Sequence, residues 1–352
     1  MTDQINFNPK PVVLARRKSR RKIWFLVIVL FLILIAAGTG GFFINRAIRE
    51  PLSSDNQEKI FSVEKGQGAW EIANNLSRAQ LIRYPWLFVG YLWYRNLNRN
   101  IQVGKYSLRP NMTIPEIADI LSQGKIKEIK ITFPEGFSIE QMAQRLEEHH
   151  LVSANDFKKA TKKYYPYRFL DDRPKNQDLQ GFLFPDTYNF TLDTTADEIV
   201  EKMLLNFDRH LDNKLRDDIK KTNMNIYEIV TMASIVEKEA SGPLDQKIVA
   251  GIFYRRWNSG KPLQSCATLA YILKSNKRRF SYADTQVKSP YNTYLHKGLP
   301  PGPICNPGLS AIKAAIYPQK TDYLYFLSTK EGKTIYAKTY EEQLANEKKY
   351  LE

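Results

Sequence analysis

Two glutamates, Glu237 and Glu239, stand at the end of an otherwise apolar run from Asn223 to Gly242, NMNIYEIVTMASIVEKEASG. A carboxyl among apolar side chains is desolvated, and desolvation raises its pKa. An acid that keeps its proton near neutral pH is what a general acid needs. The plainer alternative is that both glutamates sit at a helix end, pair with Lys or Arg and do no chemistry. On a helix, positions i and i+2 diverge by roughly 200°, so the two cannot face one bond together. If the segment is catalytic it supplies one acid, and helix geometry leaves open which.

The element that must carry these acids is a helix. Asn225 and Glu228 form a capping-box pattern, and Gly242 is a plausible stop. At about 100° per residue, Ile226, Ile229, Val230, Ala233, Val236 and Ala240 share one broad face, extended by Met232 and Ile235. Thr231, Ser234 and Lys238 make the polar strip, so the helix is expected to be largely buried. The rest of the chain narrows the chemistry further. His149, His150, His210 and His296 show no metal-ligand spacing, and HExxH, GxSxG, Walker and GxGxxG patterns do not occur. No metal and no cofactor is expected, which leaves enzymes that work with carboxylates or phenols.

The N-terminus sets the compartment. Ile23 to Ile44 is apolar and uncharged, long enough to cross a bilayer as a helix. Before it, the tail carries seven Lys or Arg against Asp3, a charge of +6. The positive-inside rule then places the tail in the cytoplasm and everything after Arg46 outside. A cleaved signal peptide is the competing reading, but the run ends in Gly-Gly-Phe-Phe-Ile-Asn-Arg, a poor match to a cleavage site. The protein is therefore expected in the cell (inner) membrane as a single-pass chain. Of the net charge of +15, +9 remains on the exported part. Without zinc-finger spacing, a basic helix or an RNP-like motif, nucleic acid is not the expected partner. An anionic cell-wall polymer or lipid headgroups fit better. Outside the cytoplasm, Cys266 and Cys305 would tend to pair as one disulfide, the alternative being two buried thiols.

After a polar linker, 46–58, a strand–turn–helix pattern recurs three times: FSVEKGQGAWEIANNL, KYSLRPNMTIPEIADIL and KITFPEGFSIEQMAQRL. Gly66, Asn111 and Gly136 stand at the turns, each seven residues before Ala73, Ala118 and Ala143. Thr113 and Ser138 sit at cap positions. Trp86 and Tyr91–Tyr94 are assigned to a core in preference to stacking on sugar rings. Residues 150–222 read as charged helices interrupted by Asp178–Phe190, whose Gly181, Pro185 and aromatics suit a fixed loop or strand beside a groove. A second apolar-periodic helix spans Gln246–Trp257. Ser289–Pro318 is rich in Gly and Pro, hence rigid and irregular. The chain closes with a hairpin turning at Glu331–Gly332 and a polar helix.

Four segments carry a resemblance to the endolytic murein transglycosylase (YceG-like) family. They are Met232–Glu239, the Gly181–Tyr188 loop, Leu263-Gln264-Ser265, and Tyr291–Tyr294 through Gly298–Gly302. The first two strand–turn–helix copies resemble a LysM module. The resemblance implies an α+β architecture: cytoplasmic basic tail 1–22, transmembrane helix 23–45, linker 46–58, LysM-like αβ module 59–130 and catalytic domain 131–352. It implies a lytic transglycosylase that cleaves the MurNAc–GlcNAc β-1,4 bond within nascent peptidoglycan glycan strands. Its partners would be those strands, the bilayer, and glycan polymerases such as penicillin-binding proteins. The family's acid is the second glutamate of the motif, hence Glu239, with Glu237 in a supporting role behind it. Gln264, Tyr291, Asn292, Thr293 and Tyr294 are the expected substrate contacts, with Asp186 and Tyr188 on the groove wall. Where the family usually has Asp-Pro, this chain has Cys266-Ala267, and Cys305 replaces a small residue. That paired departure implies a disulfide joining the two loops. A water-using muramidase with Asp186 as second carboxylate, and a non-catalytic LysM-type wall-binding scaffold, are the alternatives.

Overall fold

The computed structural model describes residues 18–125, 128–275, 277, 280–329 and 332–350, with side chains from Trp24 onward. Most of the basic tail, residues 1–17, and Glu331 of the expected hairpin turn lie outside the described residues. The chain divides into two compact units, Met1–Lys127 and Glu128–Glu352.

The first unit opens with α1 (Lys18–Arg49). Its stretch Trp24–Arg49, of mean hydropathy 2.7 and with none of it buried, is long and apolar enough to cross a membrane by length and composition. There follow β1 (Lys59–Val63), α2 (Ala69–Arg78), α3 (Pro85–Tyr94), β2 (Gly104–Leu108) and α4 (Ile114–Gln123). The two strands pair antiparallel, from Lys59 opposite Leu108 to Val63 opposite Gly104. Phe61, Val63, Ile72, Leu76, Phe88, Tyr106 and Leu121 close one core between sheet and helices. Residues 46–58 are not a free linker. The helix runs on to Arg49, Ala47 and Ile48 pack on the core, and the Ser53 N–H reaches the Pro110 carbonyl at 3.2 Å. The aromatic cluster divides. Tyr91 packs on the core, whereas Trp86, Trp93 and Tyr94 stand exposed, because α3 spends its buried face on Leu87, Phe88, Val89 and Leu92.

The second unit begins with β3 (Glu128–Thr132), which pairs antiparallel with β4 (Thr187–Thr191), Glu128 opposite Thr191 and Thr132 opposite Thr187. Between them lie α5 (Ile139–Glu148), α6 (Ala154–Ala160) and a 3₁₀ turn, Arg168–Leu170. Six helices follow: α7 (Ala196–His210), α8 (Asn213–Lys220), α9 (Ile226–Glu239), α10 (Pro243–Asn258), α11 (Cys266–Leu273) and the short α12 (Tyr282–Thr285). Then come α13 (Leu309–Ile316), β5 (Tyr325–Ser328), β6 (Thr334–Ala337) and α14 (Tyr340–Tyr350). All three strand–turn–helix copies form, and the expected capping boxes are present at Thr113/Glu116 and Ser138/Gln141.

The centre of this unit is α9, on which α8, α10, α11 and α13 pack. Its capping box, Asn225 with Glu228, is in place. Burial is deeper than the sequence pattern implies. Thr231 and Ser234 are as buried as their apolar neighbours, because each hydroxyl returns to the helix backbone, at Tyr227 O and Thr231 O. The helix also stops earlier than Gly242. Ala240 turns extended (φ −137°, ψ 139°), and Gly242, at φ +91°, instead caps the start of α10 ahead of Pro243. Glu239 is thus the last helical residue, at a corner between two helices.

Candidate functional site

Glu239 and Glu237 leave α9 toward different helices. The Glu239 Oε1 accepts the Ala267 N–H at 3.0 Å and the Ser265 hydroxyl. Ser265 is the N-cap of α11, yet its side chain does not cap that helix. The carboxylate of Glu239 takes the cap's place, meeting the free N–H groups of the first turn. Glu237 does the same for α13: its Oε2 accepts the N–H of Gly308, the N-cap there, at 3.0 Å. The divergence expected from i, i+2 spacing is therefore realised as two separate anchorages.

Opposed forces act on the Glu239 proton. Burial is the largest and drives the pKa above the ordinary carboxylate range. The Ser265 hydroxyl and the Ala267 and Cys266 N–H groups pull it back. The group is walled by protein yet partly open to solvent, so it holds its proton more tightly than a free carboxyl and can still exchange it with a bound molecule. With Oε1 fixed by two donors, the proton belongs on Oε2. Burial also raises the Glu237 pKa, against the Gly308 N–H, with Glu135 adding to the rise and Lys238 opposing it.

Buried groups hold Ser265 in position. Its N–H donates to Thr293 Oγ1 at 3.0 Å, and its carbonyl accepts from Thr268 Oγ1 at 2.8 Å. The Thr268 and Thr293 hydroxyls meet at 2.9 Å. Gln264, at φ +52°, crosses between the loops: its N–H reaches the Thr293 carbonyl at 3.0 Å and its Oε1 accepts from the buried Arg256 guanidinium. A non-glycine residue held in the left-handed region is strain that the surrounding bonds must fix. The Gln264 side chain is exposed at the mouth of the site.

The Tyr291–Tyr294 segment splits between exposed and buried roles. Of the expected substrate contacts, Asn292 and Thr293 are buried and hydrogen-bonded inside the protein. Asn292 donates to Thr285 O and Val287 O and accepts from the Tyr294 N–H. Tyr294 and Tyr291 keep partly open rings. The Tyr294 phenol lies 3.2 Å from Cys266 Sγ, and burial together with nearby Cys266 and Glu239 pushes its pKa up. Tyr291 packs against Tyr271 with centroids 5.0 Å apart. Tyr271 is one turn beyond Ala267 on α11, about 6 Å along the axis, so an aromatic wall continues from the acid. Tyr227 extends it: its hydroxyl bonds Pro301 O at 3.0 Å, and a Cβ on Gly302 would come within 2.3 Å of that oxygen. Glycine at 302 is what lets the loop approach.

Asp186 and Tyr188 are tied elsewhere. Asn206 Nδ2 donates to both, at 2.9 and 3.0 Å, and the Tyr188 hydroxyl donates to Phe184 O at 2.7 Å. They brace β4 against α7. The two cysteines are free, not bridged, so the expected disulfide does not form in this structure. Cys266 is exposed beside Tyr294, whereas Cys305 is buried with its Sγ 3.2 Å from Ser234 O.

Three residues that hold the site together were not singled out in the sequence. Ser265 lies in the Leu263-Gln264-Ser265 segment, and its N-cap position was the available signal. Thr268 and Asn306 gave none. Asn306 is fully buried; its Oδ1 accepts the N–H groups of Gly181 and Leu183 at 2.8 and 3.0 Å, and its Nδ2 donates to Phe137 O.

Fold and site together define a class: a helical α+β unit in which one desolvated carboxyl, Glu239, stands beside an aromatic wall while a second, Glu237, is turned to another helix. The model of the YceG-like family matches residues 61–349, and the chain belongs to that family. It is 31% identical over 327 residues to a Bacillus subtilis protein named endolytic murein transglycosylase, covering 89% of this chain and 90% of that one. A Streptococcus pneumoniae protein of the same name is 30% identical over 93% of this chain, which spans 65% of its length. A crystal structure of a YceG-like protein from Listeria monocytogenes, 34% identical, superposes with a TM-score of 0.57 over 82% of this chain and 99% of its own.

Proposed function

We propose that this chain is a membrane-anchored endolytic lytic transglycosylase that cuts the MurNAc–GlcNAc β-1,4 bond within nascent peptidoglycan strands, terminating or trimming them. The observation that carries the reading is the single acid, Glu239, on a helix whose other two acids are committed elsewhere, Glu237 to the N-terminus of α13 and Glu228 to the capping box of α9 itself. A hydrolase of the two-carboxylate kind needs both groups across the scissile bond, about 5–5.5 Å apart in retaining enzymes. A lytic transglycosylase needs one group that serves twice. Protonated at Oε2, Glu239 gives its proton to the glycosidic oxygen as that oxygen leaves C1 of MurNAc. The resulting carboxylate is stabilised by Ser265 and Ala267. It takes the proton from the C6 hydroxyl of the same sugar, which closes onto C1. The products are a 1,6-anhydro end and a free GlcNAc hydroxyl, with no water consumed. Positioning of the C6 hydroxyl supplies much of the rate, and Tyr294, Tyr291 and Gln264 are the exposed groups beside the acid suited to it.

The names of the relatives support the substrate, and the apolar stretch of α1 supports anchoring with the N-terminus in the cytoplasm. The order β1–α2–α3–β2 supports a LysM-like reading of the first unit, and glycan polymerases at the membrane are the partners that make nascent strands available. The decisive experiment is mass analysis of strand ends after incubation of nascent glycan with the protein. Wild type should release 1,6-anhydro ends, and Glu239→Gln should lower release by about 10²-fold or more. Reducing ends from the wild type would assign a muramidase. Binding without products would assign a scaffold.

A further inference from the structure

We infer that the first unit rests on the outer face of the bilayer crossed by α1, with the exposed aromatic face of α3 set in the lipid headgroup layer. The inference depends on the anchor reading of α1.

The attachment is stiff. The helix α1 is unbroken from Lys18 to Arg49, and its last turn enters the core of the unit through Ala47 and Ile48. The level is also set. A cavity of about 320 Å³ is lined by Phe43, Arg46 and Ala47 of α1, by Glu50 just after it, and by Ile82, Arg83 and Tyr84. Phe43 belongs to the apolar stretch, and Arg46 is the first charge after it. The start of α3 therefore lies at the height where α1 would leave the hydrocarbon.

From Tyr84 at that height, a row of rings with nothing to bury them runs along α3. Tyr84 is 42% exposed, Trp86 54%, Trp93 64% and Tyr94 83%. Trp86 and Trp93 are seven residues apart, on one face and about 10 Å along α3, and Gly90 between them adds no side chain. The Tyr84 and Trp86 rings lie 6.4 Å apart. An apolar patch of this kind marks an interaction surface. Trp and Tyr, apolar in body and polar at the tip, settle at the headgroup level of a membrane. Charge selects the same occupant. From Ile72 to Pro115 there are six Lys or Arg and no Asp or Glu, and Arg83, Arg95 and Arg99 flank α3. A surface of anionic lipid attracts that excess, whereas a neutral N-acetylated glycan does not.

The test uses the full chain reconstituted into vesicles of zwitterionic and anionic phospholipids brominated near the top of the acyl chains. Tryptophan stands only at 24, 70, 86, 93 and 257. Bromine quenches Trp24 if α1 spans, and Trp86 and Trp93 if α3 is seated. Replacing Trp86→Phe and Trp93→Phe together should then lower the quenched fraction by about half. If the face points to water, the same replacement removes unquenched rings and the fraction rises, which overturns the inference. A rise accompanied by a fluorescence shift of the wild type on adding soluble N-acetylglucosamine oligomers would assign the face to glycan. Release of the chain by alkaline carbonate extraction would instead overturn the anchor reading itself, whatever the tryptophans do.

Discussion

At the scale of single residues, Glu239 is a carboxyl whose environment argues with itself. Burial favours the neutral form, and the Ser265 hydroxyl and α11 amides favour the ion. The sign of the consequence can be followed through. A carboxyl with a raised folded-state pKa holds its proton more tightly folded than unfolded. Below the unfolded value, about 4.3, both states are protonated and nothing is lost. As pH rises through the folded value, the buried charge costs stability. Glu239→Gln, which keeps an acceptor for Ser265 and Ala267, should therefore be more stable than wild type at pH 7–8 and no more stable at pH 4, as thermal melts at the two pH values would show. Removing the Ser265 hydroxyl acts the other way on the titration. Ser265→Ala should lower kcat by about tenfold and move the alkaline limb of the pH–rate profile upward. A loss of rate with an unmoved limb would mean that Ser265 only shapes the loop. The sequence offered two carboxyls at the end of an apolar helix, and the resemblance to the family, not the periodicity, singled out Glu239. The burial of Asn292 and Thr293 was not legible, because an exposed polar motif and a buried one look alike until the loop's own carbonyls and N–H groups are seen to engage them.

Among the elements, the common device is a helix N-terminus satisfied by a side chain from elsewhere. α11 receives Glu239 and α13 receives Glu237, so α9 is pinned at its end by two amide clusters. Local caps were readable, since the capping box at Asn225 needs only residues three apart. Caps across long sequence separations were not readable, because nothing local tells Gly308 that its N–H meets residue 237. Asn306 is the extreme case. It joins the loop before α13 to Phe137 and to the Gly181–Leu183 turn through three backbone groups. Gly181 itself sits at φ +95°, where a Cβ would strike Pro303 and Val230. Asn306→Ala leaves the Gly181 and Leu183 N–H groups buried and unpaired, while Phe137 O keeps the backbone N–H of residue 306, at a cost of about 3 kcal/mol. The melting temperature should drop by roughly 10 °C. A drop of only a degree or two would mean that water replaces the amide and that this joint does not hold the groove wall.

At the scale of the whole chain, the two units have separate cores, and the seam between them falls where a repeat changes partner. The three strand–turn–helix copies look equivalent in sequence, and the boundary expected after residue 130 stands three residues beyond the division at Lys127 and Glu128. The strand of the third copy finds no partner in the first unit. β3 pairs with β4, and Glu128, Ile129 and Lys130 stand opposite Thr191, Phe190 and Asn189. Pairing across more than fifty residues of intervening chain is invisible to local pattern, which is why the order of elements was legible and the seam was not. The difference is measurable. A chain beginning at Glu128 keeps the whole ladder and should unfold in one cooperative transition. A chain beginning at Ile131 loses three of five paired positions and the packing of Ile129 on the core, for a loss of about 2–3 kcal/mol. Denaturant midpoints of the two should differ accordingly, with equal slopes. Coincident midpoints would mean that residues 128–130 add nothing to the second unit and that the seam lies after them.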